Sequence, residues 1–169
     1  MDQKVNLLFS IATLLLSVIA IAVSIYTVHK QNKLHLFDKR YDVFCILNFL
    51  IAVVRQVIEN KNISEQEVLR TSRNAYVEVI APSERNCNDS DLRPFYQNLC
   101  LSVSKIDFLF PKKYTKGCYA FIKTFTQYFS DAIDFKDTEE TKKQLTIILN
   151  TLDSDKTLET LEKYLNIGR

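Results

Sequence analysis

The sequence predicts an all-α protein, in which one N-terminal transmembrane helix continues into a cytoplasmic bundle of about five to six helices. Residues 5–28 form an apolar run that reaches roughly 36 Å as a helix, enough for a hydrocarbon core of about 30 Å. Only two glycines and three prolines occur in 169 residues. Beyond the run, apolar residues recur at helical spacing. We therefore assign residues 1–30 to a transmembrane anchor and residues 31–169 to a cytoplasmic helical domain.

Small and hydroxyl residues of the apolar run share one stripe of the predicted helix, at spacings that alternate between three and four. They are Ser10, Thr13, Ser17, Ala20, Ser24 and Thr27. Small residues let transmembrane backbones approach closely, so the stripe predicts association with another helix. A second interpretation stays open, because a serine or threonine hydroxyl can also bond to the carbonyl one turn earlier and then needs no partner.

The flanks of the run predict its orientation. Lys4 is opposed by Asp2 before the run, whereas four basic residues follow it: Lys30, Lys33, Lys39 and Arg40. The positive-inside rule then predicts a single-pass protein of the cell inner membrane, with the N-terminus outside and the C-terminal domain cytoplasmic. A cleaved signal peptide with a small-residue site at 20–22 is the alternative, but the run continues to Val28, past the 7 to 15 residues typical of a signal peptide.

Composition limits the partners and cofactors. The net charge of +2 argues against a dedicated nucleic-acid binder, which would carry a basic stripe. The basic cluster after the run suits lipid headgroups, so we expect membrane lipids and either a homo-oligomer or a partner membrane protein. In the cytoplasm the four cysteines would be reduced thiols. They form no CxxC pair, and both histidines lie near the membrane, so we expect no metal and no cofactor.

The first helix is expected to pass without a break from the apolar run into the domain, since no breaker stands before Pro82. Its predicted inward positions follow helical spacing: Leu34, Phe37, Tyr41, Phe44, Leu47, Ile51, Val54 and Ile58. The apolar stretch 43–54 is too short for a second membrane span, and it contains Asn48. We therefore interpret it as a core helix.

Caps and prolines then divide the rest of the chain. Ser64 with Glu67 forms a capping box for a second helix, which stops before Pro82. A polar loop is expected over 82–91, and a third helix from about Asp91, with Pro94 in its first turn. That helix ends at the corner 108–111, whose sequence is FLFP.

Three more helices are predicted after the corner. The fourth carries an apolar face of Tyr114, Cys118, Phe121, Ile122, Phe125, Phe129 and Ile133. Asp137 with Glu140 caps a fifth helix, which holds Leu145, Ile148, Leu149 and Leu152. A short sixth helix carries Leu158, Leu161 and Leu165 and ends near Gly168.

Three groups of side chains in the domain have both a functional and a structural interpretation. The aromatic stripe 121–129 suits a ligand pocket, but its helical spacing favours core packing. The acids of 131–140 suit a metal site, but they straddle a helix end and a cap, which favours a solvated connection. Cys118 follows Lys116 and Gly117, yet its place on an apolar face favours burial over reactivity.

No catalytic signature is present in the sequence. There is no glycine-rich phosphate loop and no nucleophile elbow, and no histidine follows His35 near the membrane to serve as a base in the folded part of the domain. We therefore name no catalytic residue and expect a protein that is not an enzyme.

Residues 33–44, KLHLFDKRYDVF, form a basic and aromatic motif just after the apolar run. The motif resembles the LFDKRYEVY-type motif of uncharacterised bacterial single-pass membrane proteins, in which a small helical domain follows the span. A later FLF corner in those proteins is similar to residues 108–110. The resemblance implies the same architecture, and it implies an antiphage or mobile-element context for some members.

The motif also has a physical interpretation. Phe37, Tyr41 and Phe44 share a face that is expected to point to the bundle, while Lys39 and Arg40, together with Asp42, are expected to face away or along the membrane surface. This pattern is typical of an amphipathic helix with cations that reach toward the interface. A signalling stalk, which transmits movement of associated spans into the bundle, is the functional alternative.

These observations favour a non-enzymatic, membrane-anchored interaction or signalling module that associates through its transmembrane helix. The alternative is a membrane-perturbing effector whose associated spans form a pore lined by hydroxyls. An unrecognised enzyme is the third hypothesis.

Overall fold

The computed structural model describes residues 2–60, 62–79 and 92–166, and it describes side chains between residues 13 and 165. Every regular element in these ranges is a helix, which confirms the all-α prediction. The elements are α1 (Asp2–Glu59), α2 (Glu65–Val79), α3 (Leu92–Val103), α4 (Ile106–Leu109), α5 (Lys112–Ile133), α6 (Glu139–Ser154) and α7 (Thr157–Asn166). The expected polar loop 82–91 and the helix end near Gly168 lie outside the described residues.

The chain divides into two compact units, one ending at Asp38 and the other beginning at Lys39. The second unit holds α2 to α7, of which α4 is a single turn of four residues, in agreement with the expected five to six helices. α1 runs unbroken from Asp2 to Glu59, as predicted. The boundary after residue 30 stays a sequence prediction.

The second part of α1 is a core helix, as expected for the stretch 43–54. Buried positions follow spacings of three and four along one face: Val43, Leu47, Leu50, Val54 and Val57. Ile51 and Val53 widen this face. The Phe49 ring lies 4.6 Å from the Tyr76 ring on α2, centroid to centroid, so aromatic packing extends the contact between the two helices.

The first half of the predicted capping box is present at the start of α2. The Glu67 amide donates to the Ser64 hydroxyl at 3.2 Å, while the Glu67 carboxylate lies 3.8 Å from Arg70 one turn later. α3 then carries Pro94 in its first turn, as predicted. The buried Tyr96 hydroxyl donates to the Leu69 carbonyl at 2.8 Å, which ties α3 to α2.

α5 supplies four of the five largest fully buried side chains in the described part of the chain. Phe121, Phe125, Tyr128 and Phe129 are at most 1% exposed, which confirms core packing as the role of the aromatic stripe. α5 and α6 approach closely at Gly117, where an added Cβ would lie 2.8 Å from the Leu152 side chain. A glycine therefore fits this helix interior despite its low helix propensity.

The expected fifth and sixth helices correspond to α6 and α7. The prediction that Asp137 with Glu140 caps this helix was wrong, because Thr138 is the N-cap residue of α6. Asp137 instead accepts a hydrogen bond from the Glu139 amide at 3.0 Å. The turns after α5 and α6 place Phe135 and Lys156 at positive φ, 56° and 49°. A non-glycine residue in the left-handed region raises the conformational energy of the backbone. The chain has only two glycines, and neither lies at these positions.

Candidate membrane segment and interaction cleft

The apolar run on α1 is exposed along the side chains that the structure describes. Its large apolar side chains between Leu14 and Val28 are each 55–68% exposed. Among the described residues, α1 is the one helix that is long and apolar enough to cross a membrane. Monomeric proteins in water seldom expose so much contiguous apolar surface.

The hydroxyls of the predicted stripe bond within their own helix. The hydroxyls of Ser17, Ser24 and Thr27 each donate at 2.8 Å to the carbonyl four residues earlier. This is the self-satisfied arrangement of the second interpretation, although such a stripe still allows close helix approach, as Ala20 does. The side chain of Ser10 lies outside the described residues.

Arg40 points inward, so the expectation that it faces away was wrong. Its Nε donates to the carbonyl oxygen of Leu109 at 2.7 Å, and its guanidinium carbon lies 5.8 Å from the centroid of the Phe110 ring. Leu109 is the last residue of α4, where carbonyls lack partners inside the helix. Arg40 therefore joins the two motifs that carried the resemblance, the segment 33–44 and the FLF corner.

The aromatic face of the motif also differs from the prediction. Phe37 and Phe44 are half-buried, but Tyr41 is 52% exposed and Val43 is the buried residue of this turn. Because each helical residue advances by 100°, positions 41 and 43 point to nearly opposite sides. Lys39 is exposed, as expected.

Tyr41 faces an open cleft of about 890 Å³ in the second unit, between α1, the end of α2 and the α3–α4 region. Its apolar lining is Val43, Ile46, Tyr76, Val79, Phe108 and Leu109. Its polar lining is Lys39, Tyr41, Asp42, Cys45, Ser102 and Lys105. Sequence reasoning missed this cleft, since its residues come from three segments far apart in the chain.

A second cavity of about 590 Å³ contains a cluster of charges. The Lys142 ammonium lies 2.7 Å from Glu65 and 2.5 Å from Glu139, and the Thr138 hydroxyl donates to Glu65 at 2.7 Å. Desolvation lowers the pKa of Lys142, but hydrogen bonds to the two carboxylates outweigh it and raise that pKa overall. The cluster fastens the start of α2 to the start of α6.

The Cys118 thiol and the acids of residues 131–140 are buried or paired in ways typical of structural side chains. Cys118 and Cys100 are buried, and desolvation raises the pKa of Cys118 to about 12 and that of Cys100 to about 11. Burial of Cys118 is therefore confirmed. Of the acids after residue 130, Asp134 pairs with Arg93 and Lys136.

Comparisons with known proteins found no match to this chain. No protein-family model matches it, and no curated protein or solved structure does so. The resemblance of residues 33–44 and 108–110 to bacterial single-pass membrane proteins thus stays a prediction.

Proposed function

We propose that this protein is a non-enzymatic, membrane-anchored interaction module whose α1 crosses the membrane once and whose helical domain lies in the cytoplasm. Through the transmembrane part of α1 it associates with a second copy or with a partner membrane protein. One observation carries the proposal. α1 leaves its large apolar side chains between Leu14 and Val28 more than half exposed, while farther along it buries Val43, Leu47, Leu50, Ile51, Val53, Val54 and Val57.

A bilayer resolves the exposure of residues 14–28. Hydrocarbon accepts apolar side chains but offers no hydrogen-bond partners, so a spanning segment must satisfy its polar groups internally. The hydroxyls of Ser17, Ser24 and Thr27 do so, since each donates to a carbonyl of the same helix. The basic residues after it favour a cytoplasmic domain.

The chemistry of the domain supports a role in binding rather than in catalysis. A thiol acts as a nucleophile only when ionised, and burial raises the pKa of Cys100 and Cys118. The carboxylates of Glu65 and Glu139 are engaged by Lys142. These groups hold helices together.

Membrane association and topology are tested in cells. The full chain should stay with membranes through alkaline carbonate washing and float with lipid on a density gradient. An impermeant thiol reagent should leave Cys87 and Cys45 unmodified in intact cells and modify them after lysis. Release by carbonate would refute the anchor, and labelling of Cys87 in intact cells would reverse the topology.

Association is tested on the purified protein. Extraction in mild detergent followed by mass measurement should give an oligomer or a complex with a second membrane protein. A strict monomer with no retained partner would refute the interaction role. Leakage of dye from vesicles that carry the full chain would indicate the membrane-perturbing role instead.

A further inference from the structure

We propose that the cleft between α1, α2 and the α3–α4 region binds one anionic phospholipid, with its acyl portion against the apolar lining and its phosphate at Lys39 and Lys105. The inference rests on the proposed function, because it takes the lipid from the membrane that holds α1. It adds a specific ligand for the domain and names the residues that hold it.

The shape and lining of the cleft suit an apolar chain. Its volume of about 890 Å³ falls within the range of small-molecule sites, roughly 300 to 1,000 Å³. Val79 and Phe108 line it while remaining 78% and 89% exposed. Two large apolar side chains at the rim of a cleft would gain by covering each other or a ligand, and lipid supplies such a ligand at high local concentration.

The charges around the cleft select an anionic headgroup. Lys39 and Lys105 line it, and neither forms an ion pair in the part of the chain that the structure describes. Asp42 is the one acid of the lining, which leaves a net positive charge.

One residue of the cleft follows the apolar run closely in sequence. Lys39 lies 11 residues after Val28, the end of the apolar run, within the 15 to 20 residues over which basic side chains sense the membrane. Exposed tyrosines such as Tyr41, which lines the cleft, are typical of the membrane–water interface. A phospholipid therefore suits the mixed apolar and basic lining better than a wholly apolar or a wholly polar ligand.

Cys45 offers a direct readout of occupancy. It is half-buried and lines the cleft, whereas Cys100 and Cys118 are buried with raised pKa values. A C87S variant of the full chain, reconstituted in lipid nanodiscs, would thus report mainly on Cys45. With phosphatidylglycerol in the disc, modification of Cys45 should be at least about fivefold slower than in pure phosphatidylcholine, as one lysine near the surface provides about that factor.

Two pairs of variants separate the site from general charge and apolarity. K39Q/K105Q should abolish the protection of Cys45, while K123Q/K163Q removes the same charge from exposed lysines elsewhere and should keep it. V79D should also abolish protection, whereas L101D changes an apolar residue that is likewise exposed but lies outside the lining. Near-ultraviolet circular dichroism of the tyrosines verifies that each variant is folded.

Each outcome decides the inference separately from the proposed function. Equal protection in phosphatidylcholine, or protection that depends on protein concentration, would overturn it in favour of a neutral lipid or a second copy. Equal loss with both lysine pairs would overturn it in favour of general electrostatics. A chain that does not enter nanodiscs at all would instead refute the membrane anchor of the proposed function.

Discussion

Two segments of α1 carry the same kinds of side chain but have opposite surroundings. Leu16 is 67% exposed, while Leu47 is fully buried, although both are leucines of one helix. The first segment continues for 24 apolar or weakly polar residues, and the second is bounded by Asp42 and Arg55. The difference shows that hydrophobicity alone does not determine what covers a helix face.

The two segments also obtain their stabilisation from different sources. Full burial of a leucine or valine contributes about 1.5–3 kcal/mol, and in the second segment the domain itself provides that burial. In the first segment only lipid or another helix can provide it. Substitutions should therefore affect domain stability in one segment and insertion or association in the other.

The largest effect is expected in the second, buried segment of α1, residues 43–57. Leu47→Ala removes a fully buried side chain, and it should lower the free energy of unfolding of the domain by about 2–5 kcal/mol, from lost burial and the cavity left behind. Chemical unfolding in one detergent, followed by tyrosine circular dichroism, measures it. Leu16→Ala is the matched control and should leave the midpoint unchanged. Equal destabilisation by both would mean that residues 14–28 pack within the folded protein.

In the first, exposed segment of α1, residues 14–28, a substitution should lower membrane insertion and leave domain stability unchanged. Leu16→Arg places a charge near the centre of the apolar run, which costs about 2.5–3.5 kcal/mol in insertion. The variant should lose a large share of its membrane fraction in a carbonate-wash assay, while the unfolding of its domain stays unchanged. Leu16→Ile should insert normally. Unchanged insertion of the arginine variant would refute residues 5–28 as the span.

Arg40 lies at the start of the second unit, which begins at Lys39. Arg40→Met keeps an apolar stem but removes the donor to the Leu109 carbonyl, and an unsatisfied carbonyl costs about 1–3 kcal/mol. The unfolding midpoint of the variant should fall accordingly. Lys39→Met is the control, because Lys39 is exposed and surface changes usually stay within about 0.5 kcal/mol. A similar shift for both would remove the role of Arg40 in holding the corner.

The smallest effect is expected on helix association, from substitutions in the hydroxyl stripe of the exposed segment. Replacing Ser17, Ala20 and Ser24 with leucine adds bulk where close approach is proposed. This set should weaken self-association or partner capture in a membrane reporter, since packing drives helix pairing in lipid and single contacts average about 0.6 kcal/mol. The control set changes Leu15, Ile19 and Val23 among leucine and isoleucine. Equal behaviour of the two sets would mean that the stripe serves only insertion.

Local signals predicted most of the helices. The Ser64 cap, Pro94 and the corner before Pro111 act within one or two turns of the backbone, so the starts of α2, α3 and α5 lie where the sequence placed them. The prediction that the third helix continues to the corner was wrong, because α3 ends at Val103 and α4 follows as a separate turn. The core role of 121–129 followed from spacing alone. Tyr41 and Arg40 were misplaced because their surroundings depend on other segments.

The sequence by itself determined that the chain is helical, that α1 is unbroken, and that one stretch of it is long enough to span a bilayer, because spacing, caps and run length are properties of neighbouring residues. Only the tertiary structure decided that Arg40 bonds to Leu109, 69 positions away, and that Lys39, Val79 and Lys105 line one cleft. The physical reason is that side-chain contacts depend on how helices are rotated and packed. Small changes in register redirect a side chain by 100° per residue.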